Sequence, residues 1–286
     1  MDESFFELLP PLELAEHVED GLDYIIQNWD GFISGIRAIN LFVCANLEHF
    51  LNWLPWWAWL VLIFLASVKL LTWRMGLVLC AMMFFVGWVG YWDMMNTTMA
   101  IVVTSMLFSL VIGIPLGFLM AFSNPVKRVV HPILDAMQTT PSFVYLLPAI
   151  MLFGLGKAPA VVATTIYALP PVVRMTNLGI RSVDKTITDV ADSFGCTAIQ
   201  KLTKVQVPYA MTMITAGINQ TTMMALGMTI TSAMIGANGL GLEILTAIGR
   251  LEVGVCAEAG LCIVFVAITL DRLTQGLAKL FNEDEQ

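Results

Sequence analysis

The stretch "DVADSFGCTAIQKLTKVQVP", Asp189 to Pro208, stands between two long apolar runs and carries two acids, two lysines, several hydroxyls and one glycine. Thr186–Asp189 and Thr197–Gln200 each have the spacing of a helix capping box. Asp189 and Asp192 fall early in a first helix and Lys201 and Lys204 late in a second, the ends where the macrodipole favours each charge. Val190, Phe194, Ala198, Ile199 and Leu202 form an apolar stripe. Gly195 between the two caps permits a turn that a side chain would hinder, and Pro208 opens the next helix, where a missing N–H costs nothing. The segment reads as two short helices joined at a glycine, either a knob for a partner's groove or a connector tucked against a bilayer.

The surroundings are greasy. Of 286 residues, 58% are hydrophobic and 13% charged, and mean hydropathy is +0.79. A membrane span needs about 20 mostly apolar residues, and seven runs qualify as candidates: 56–73, 75–92, 97–122, 143–156, 158–177, 209–235 and 253–273, the fourth being short. An all-α membrane protein of about seven transmembrane helices follows, with no room for a soluble domain of useful size. Lys and Arg in short loops set orientation. If the spans alternate, Lys69, Arg74, Lys127, Arg128, Arg174, Arg181, Lys185, Lys201, Lys204, Arg272 and Lys279 share one side, and Arg37, Lys157 and Arg250 the other. That asymmetry predicts an external N-terminus, a cytoplasmic C-terminus and a cytoplasmic Asp189–Pro208.

Ten of the 22 acids lie in the first 50 residues, which hold one base, Arg37. Residues 12–29 and 32–54 carry apolar side chains at helical spacing, so two amphipathic helices are expected on the outer membrane face. They read as a solvated acidic tail with one interfacial helix, or less readily as a docking arm. "WLPWWAWL" at 53–60 and "GYWDMM" at 90–95 fit an outer aromatic belt and Trp73–Arg74 an inner boundary; "SNPVKRVVHP" at 123–132 reads as a basic cytoplasmic loop. Run 209–235, at 1.5 Å per residue, exceeds a hydrocarbon core of about 30 Å, so either Gly217 and Gly227 kink it or its ends project beyond the bilayer. It holds Asn219, Gln220, Thr221, Thr222, Thr229, Thr231 and Ser232, which should face other helices or a water-filled path.

Several chemistries find no support. "MDESFFELLP" carries acids where a secretory signal carries bases. Five scattered cysteines and three distant histidines give no ligand spacing. "GLGKAP" at 154–159 lacks the first glycine and the Ser or Thr of a P-loop. No internal repeat points to a secondary transporter of inverted halves; Glu258, near the outer end of its run, is the only acid well inside one. No nucleophile–base pair for a membrane-embedded enzyme stands at recognisable spacing.

The spacing acid-Val-Ala, three residues, Gly, nine residues, Val-x-Val-Pro resembles the EAA motif of ABC importer permeases. Asp189, Val190 and Ala191 match its first triplet, with Asp for Glu and Val for Ala; Gly195 matches the glycine, and Val205, Val207 and Pro208 the end. "MQTTPSFVYLLPAIMLFGLGKAP", "YALPPVVRMTNLGIRSVD", "AGINQTTMMALGM", "MIGANGLG" and "LDRLTQG" resemble the glycine betaine/proline betaine permeases of osmoprotectant uptake and cover most of residues 130–276. The resemblance implies a type I ABC importer permease with a five-helix core and a cytoplasmic coupling helix. It implies an acidic extracytoplasmic segment over 1–54, two accessory helices over 55–93, the permease core over 94–276 and an acidic tail over 277–286. It implies a non-catalytic bacterial inner-membrane subunit that pairs with a second copy of itself, two cytoplasmic ABC ATPase subunits and an extracytoplasmic substrate-binding protein. No cofactor is expected on this chain; ATP with Mg belongs to the ATPase. Membrane lipid is a partner and nucleic acid is not. The cargo implied is a small quaternary ammonium osmolyte of the glycine betaine, proline betaine, choline or trimethylamine N-oxide type. Asn219, Gln220, Thr221, Met223 and Met224 are the candidate path or gate residues. An ion-coupled secondary transporter or channel is the rival reading.

Overall fold

A computed structural model describes the backbone of residues 14–283 and the side chains of 16–277. The opening "MDESFFELLP" and the end of the acidic tail lie outside the described residues. The order is α1 (Leu14–Asn28), α2 (Asp30–Trp53), α3 (Trp56–Leu70), α4 (Trp73–Trp88), α5 (Trp92–Phe122), α6 (Asn124–Thr139), a 3₁₀ turn (Ser142–Tyr145), α7 (Leu146–Phe153), α8 (Lys157–Arg181), α9 (Lys185–Ser193), α10 (Ala198–Lys201), a π turn (Leu202–Gln206), α11 (Val207–Ala233), α12 (Leu240–Arg250) and α13 (Val253–Glu283). Among the described residues the fold is all-helical.

Among the described residues, three helices are long and apolar enough to cross a membrane unaided: α5, α8 and Val253–Leu277 of α13. Two bent pairs add to these: α2 meets α3 at 98°, and α6 meets the segment Ser142–Phe153 at 110°. The first bend suits a helix lying on a membrane face that turns into one crossing it. The second corrects the sequence reading twice. Run 143–156 is no span of its own, because α7 has eight residues, a rise of about 12 Å. The "SNPVKRVVHP" stretch is not a loop but the start of α6. Ser123 caps it, accepting from the Val126 N–H at 3.4 Å, and Pro125 sits in the first turn, where prolines cost nothing.

The core is α8 packed between α5 and α11. Along α5, Ser105, Ser109, Gly113 and Gly117 recur every four residues, so one edge is small from end to end. Ser105 donates to the Val161 carbonyl at 3.2 Å and Ser109 to the Thr165 carbonyl at 3.0 Å. A Cβ on Gly117 would stand 2.6 Å from Thr176 Cβ. The second seam works alike: a Cβ on Gly217 of α11 would stand 2.8 Å from Met175 Cβ. Gly217 is therefore a site of close approach rather than a kink, and α11 runs unbroken for 27 residues.

α2 is strapped to this core. Its buried Ile33, Asn40, Cys44 and Leu51 share one face, as helical spacing requires. Glu48 accepts from the Thr97 hydroxyl at 2.8 Å and pairs with Lys157, at the start of α8. Burial pushes the Glu48 carboxyl up, but the bonds from Lys157 and Thr97 and the Lys157 charge outweigh it and hold the carboxyl below its usual range.

Candidate coupling and translocation sites

The segment at Asp189–Pro208 folds as two short helices and a turn. Asp184 caps α9 by accepting from the Thr186 N–H at 2.8 Å; that backbone bond holds its carboxyl below the ordinary value. The helix thus starts at Asp184, not at Thr186, because an aspartate two residues upstream offers the stronger acceptor. The second box forms as expected: Gln200 N–H donates to Thr197 Oγ1 at 3.3 Å, and Thr197 N–H to Gln200 Oε1 at 2.9 Å. Gly195 lies between the helices at φ +73°, in the left-handed region that a side chain disfavours. Asp192 and Lys201 do more than complement separate dipoles. The Lys201 ammonium meets both Asp192 oxygens, at 2.8 and 2.9 Å, and ties α9 to α10 across the glycine.

Val205 and Val207 are half-buried, as is Pro208 at the root of α11. Pro208 lacks the N–H that would bond back to Lys204, and the turn just before it is widened to π geometry, a local way to absorb the missing bond. Ala191 is 6% exposed and anchors α9, whereas Asp189 points to the outside. The expected apolar stripe is present but uncovered: Val190 is 51% exposed, Phe194 84% and Ile199 75%.

The candidate path residues divide. Gln220, Met223 and Met224 line an open cleft of about 340 Å3 together with Ser142, Tyr167, Gly227 and Met228. Asn219 is half-buried with its side-chain carbonyl unpaired. Thr221 is fully buried on the other side of the helix and lines no part of the cleft; one residue of helix turns a side chain through about 100°, so neighbours in sequence do not share a face. Tyr167 and Ser142 escaped the sequence reading because they sit on other elements, α8 and the turn after α6. A signal was present: Pro141 lacks an N–H and disfavours helix at the residue before it, so irregular backbone was to be expected after α6. Among the described residues, no group of three or more His, Cys, Asp or Glu stands close enough to hold a metal.

Residues 113–284 match the family described as binding-protein-dependent transport system inner membrane component. The chain is 44% identical to the glycine betaine transport system permease protein of Bacillus subtilis (strain 168) over 272 residues, 94% of this chain and 95% of that protein. It is 36% identical to the trimethylamine N-oxide transport system permease protein of Ruegeria pomeroyi over 92% of this chain and 39% of that longer one. In fold it is similar to a chain of the inward-facing MetNI methionine ABC transporter, with a TM-score of 0.58 and 21% identity over 65% of this chain and 93% of that one. The matched region contains the knob, the cleft and all of α8 and α11, so the chain belongs to the family of binding-protein-dependent transport system inner membrane components.

Proposed function

We propose that this chain is the membrane-spanning subunit of an ATP-driven importer for a small quaternary ammonium osmolyte. The observation that carries the reading is the uncovered apolar knob of α9 and α10. Three large side chains held out on capped, cross-linked helices cost free energy in water and make sense as one half of an interface. The partner is an ABC ATPase that binds ATP with Mg, this chain supplying no nucleotide site. One knob per chain and two ATPase subunits call for a second copy related by a two-fold axis. An extracytoplasmic binding protein delivers the cargo. The glycine betaine and trimethylamine N-oxide permeases among the relatives support a methylated ammonium as that cargo. The Lys/Arg asymmetry supports an orientation with α1 and α2 outside and α9 inside.

The test is uptake of labelled glycine betaine by proteoliposomes holding the chain, its ATPase and its binding protein. Accumulation should require enclosed ATP and should be competed by proline betaine or trimethylamine N-oxide. Competition by sugars or ordinary amino acids alone would refute the assignment of cargo.

A further inference from the structure

The cleft lies near the middle of two long helices and at the break of a third. Gln220 is 13 residues into the 27-residue α11, about half-way along at 1.5 Å per residue. Tyr167 is ten residues into α8. Ser142 stands at the 110° break between α6 and α7, and helices broken near mid-membrane are where transporters expose polar backbone to their cargo.

The chemistry of the lining is selective. Its side chains include no charge: one tyrosine ring, the thioethers of Met223, Met224 and Met228, and two small hydrogen-bonding groups on Ser142 and Gln220. A bare carboxylate would bind a cation tightly, whereas a ring face attracts it by only about 0.5–2 kcal/mol. Thioethers add soft, adaptable contact to methyl groups. The Tyr167 ring is also fixed. Tyr145 meets it edge-to-face, centroids 6.0 Å apart, and the Tyr145 hydroxyl donates to the Met137 carbonyl at 2.6 Å. The aromatic pair is thereby pinned to the end of α6.

We propose that Tyr167 is the cation-contacting residue of a weak mid-membrane site, its ring receiving the methylated ammonium while Gln220 and Ser142 donate to the carboxylate of a zwitterionic cargo. This rests on the importer reading above. Nothing in the cleft favours a sugar, which would need several paired donors and acceptors, or a bare anion, which would need a base.

The experiment compares Tyr167→Phe, Tyr167→Trp and Tyr167→Leu in proteoliposomes of the complete transporter, scoring glycine betaine imported per ATP hydrolysed. Phe and Trp should stay within about twofold of the unaltered chain; Leu, apolar but smaller and without a ring, should fall about tenfold, the change that some 1.4 kcal/mol of lost cation–π attraction gives. A second series keeps the shape: phenylalanine carrying one, two and then three ring fluorines at position 167 should lower import stepwise as the ring face loses negative potential. Leu importing as well as Tyr, Phe falling as far as Leu, or a flat fluorination series would each overturn the assignment of Tyr167. Failure of the unaltered complex to import any methylated ammonium would instead overturn the importer reading, and this site with it.

Discussion

Glu48 illustrates how one side chain joins an outlying helix to the transport core. Its carboxylate is 18% exposed and its partner Lys157 28%, so the pair is only partly screened by solvent. Removing one member leaves the other short of a partner, at a cost of about 1–3 kcal/mol. Glu48→Gln should therefore lower the thermal unfolding midpoint at neutral pH. The sign of the pH dependence follows from the depressed carboxyl. Its contribution is complete above the ordinary value of 4.5 and fades as pH falls through the lower folded value. Midpoints of the two proteins should converge as pH falls below 4.5; a gap that stays constant with pH would mean that charge is not its source. None of this was legible beforehand. Glu48 belongs to an acid-rich opening and Lys157 to a glycine-rich turn, and nothing local in either says that 109 residues of chain bring them together. Gly195 is the opposite case: it falls between the end of one short helix and the Thr197 cap of the next, so a turn at the glycine was readable from the sequence alone.

At the scale of elements, helical periodicity identified α1 and α2 and long apolar runs identified α3 to α5, α8 and α11 to within about five residues, while run 253–273 found the start of α13 but not its end at Glu283. What periodicity could not give was how they meet. The four-residue recurrence of Ser105, Ser109, Gly113 and Gly117 lay in plain view, yet its meaning depends on α8 offering the carbonyls of Val161 and Thr165 opposite. The α6–α7 break was misread because a short apolar run resembles a short span, and only the 110° bend distinguishes half of a broken helix from a whole one. The seam between α8 and α11 carries its own prediction. Gly217→Ala would force a Cβ to within 2.8 Å of Met175 Cβ, so overpacking should destabilise the purified protein by about 1–3 kcal/mol. Gly35→Ala in α2, where a Cβ would meet nothing within 4 Å, should be neutral or stabilise by up to about 1 kcal/mol. Thermal unfolding of the two variants side by side checks the contrast; equal midpoints would mean that the seam is looser than its geometry implies.

For the whole molecule, three helices and two bent pairs are long and apolar enough to cross a membrane, and the proposed function puts the cleft among them and the knob of α9 and α10 at one face. In the proposed orientation, which the charge asymmetry of the loops supports, that face is cytoplasmic. Single cysteines introduced into a chain freed of its native five should report it. Asp20→Cys should react with an impermeant maleimide in intact cells and Thr203→Cys only after the membrane is breached; the reverse pattern would invert the proposed orientation. In the proposed function the knob links this chain to its source of energy. Gly195→Asp adds a side chain at φ +73° and a charge beside Phe194 and Ile199, while leaving the membrane helices untouched. The decisive measurement is the amount of ATPase subunit that co-purifies with the Gly195→Asp chain, read alongside betaine uptake in vesicles. Normal insertion with loss of both the ATPase and uptake is the predicted result; a variant that keeps its ATPase and imports at the unaltered rate would contradict it.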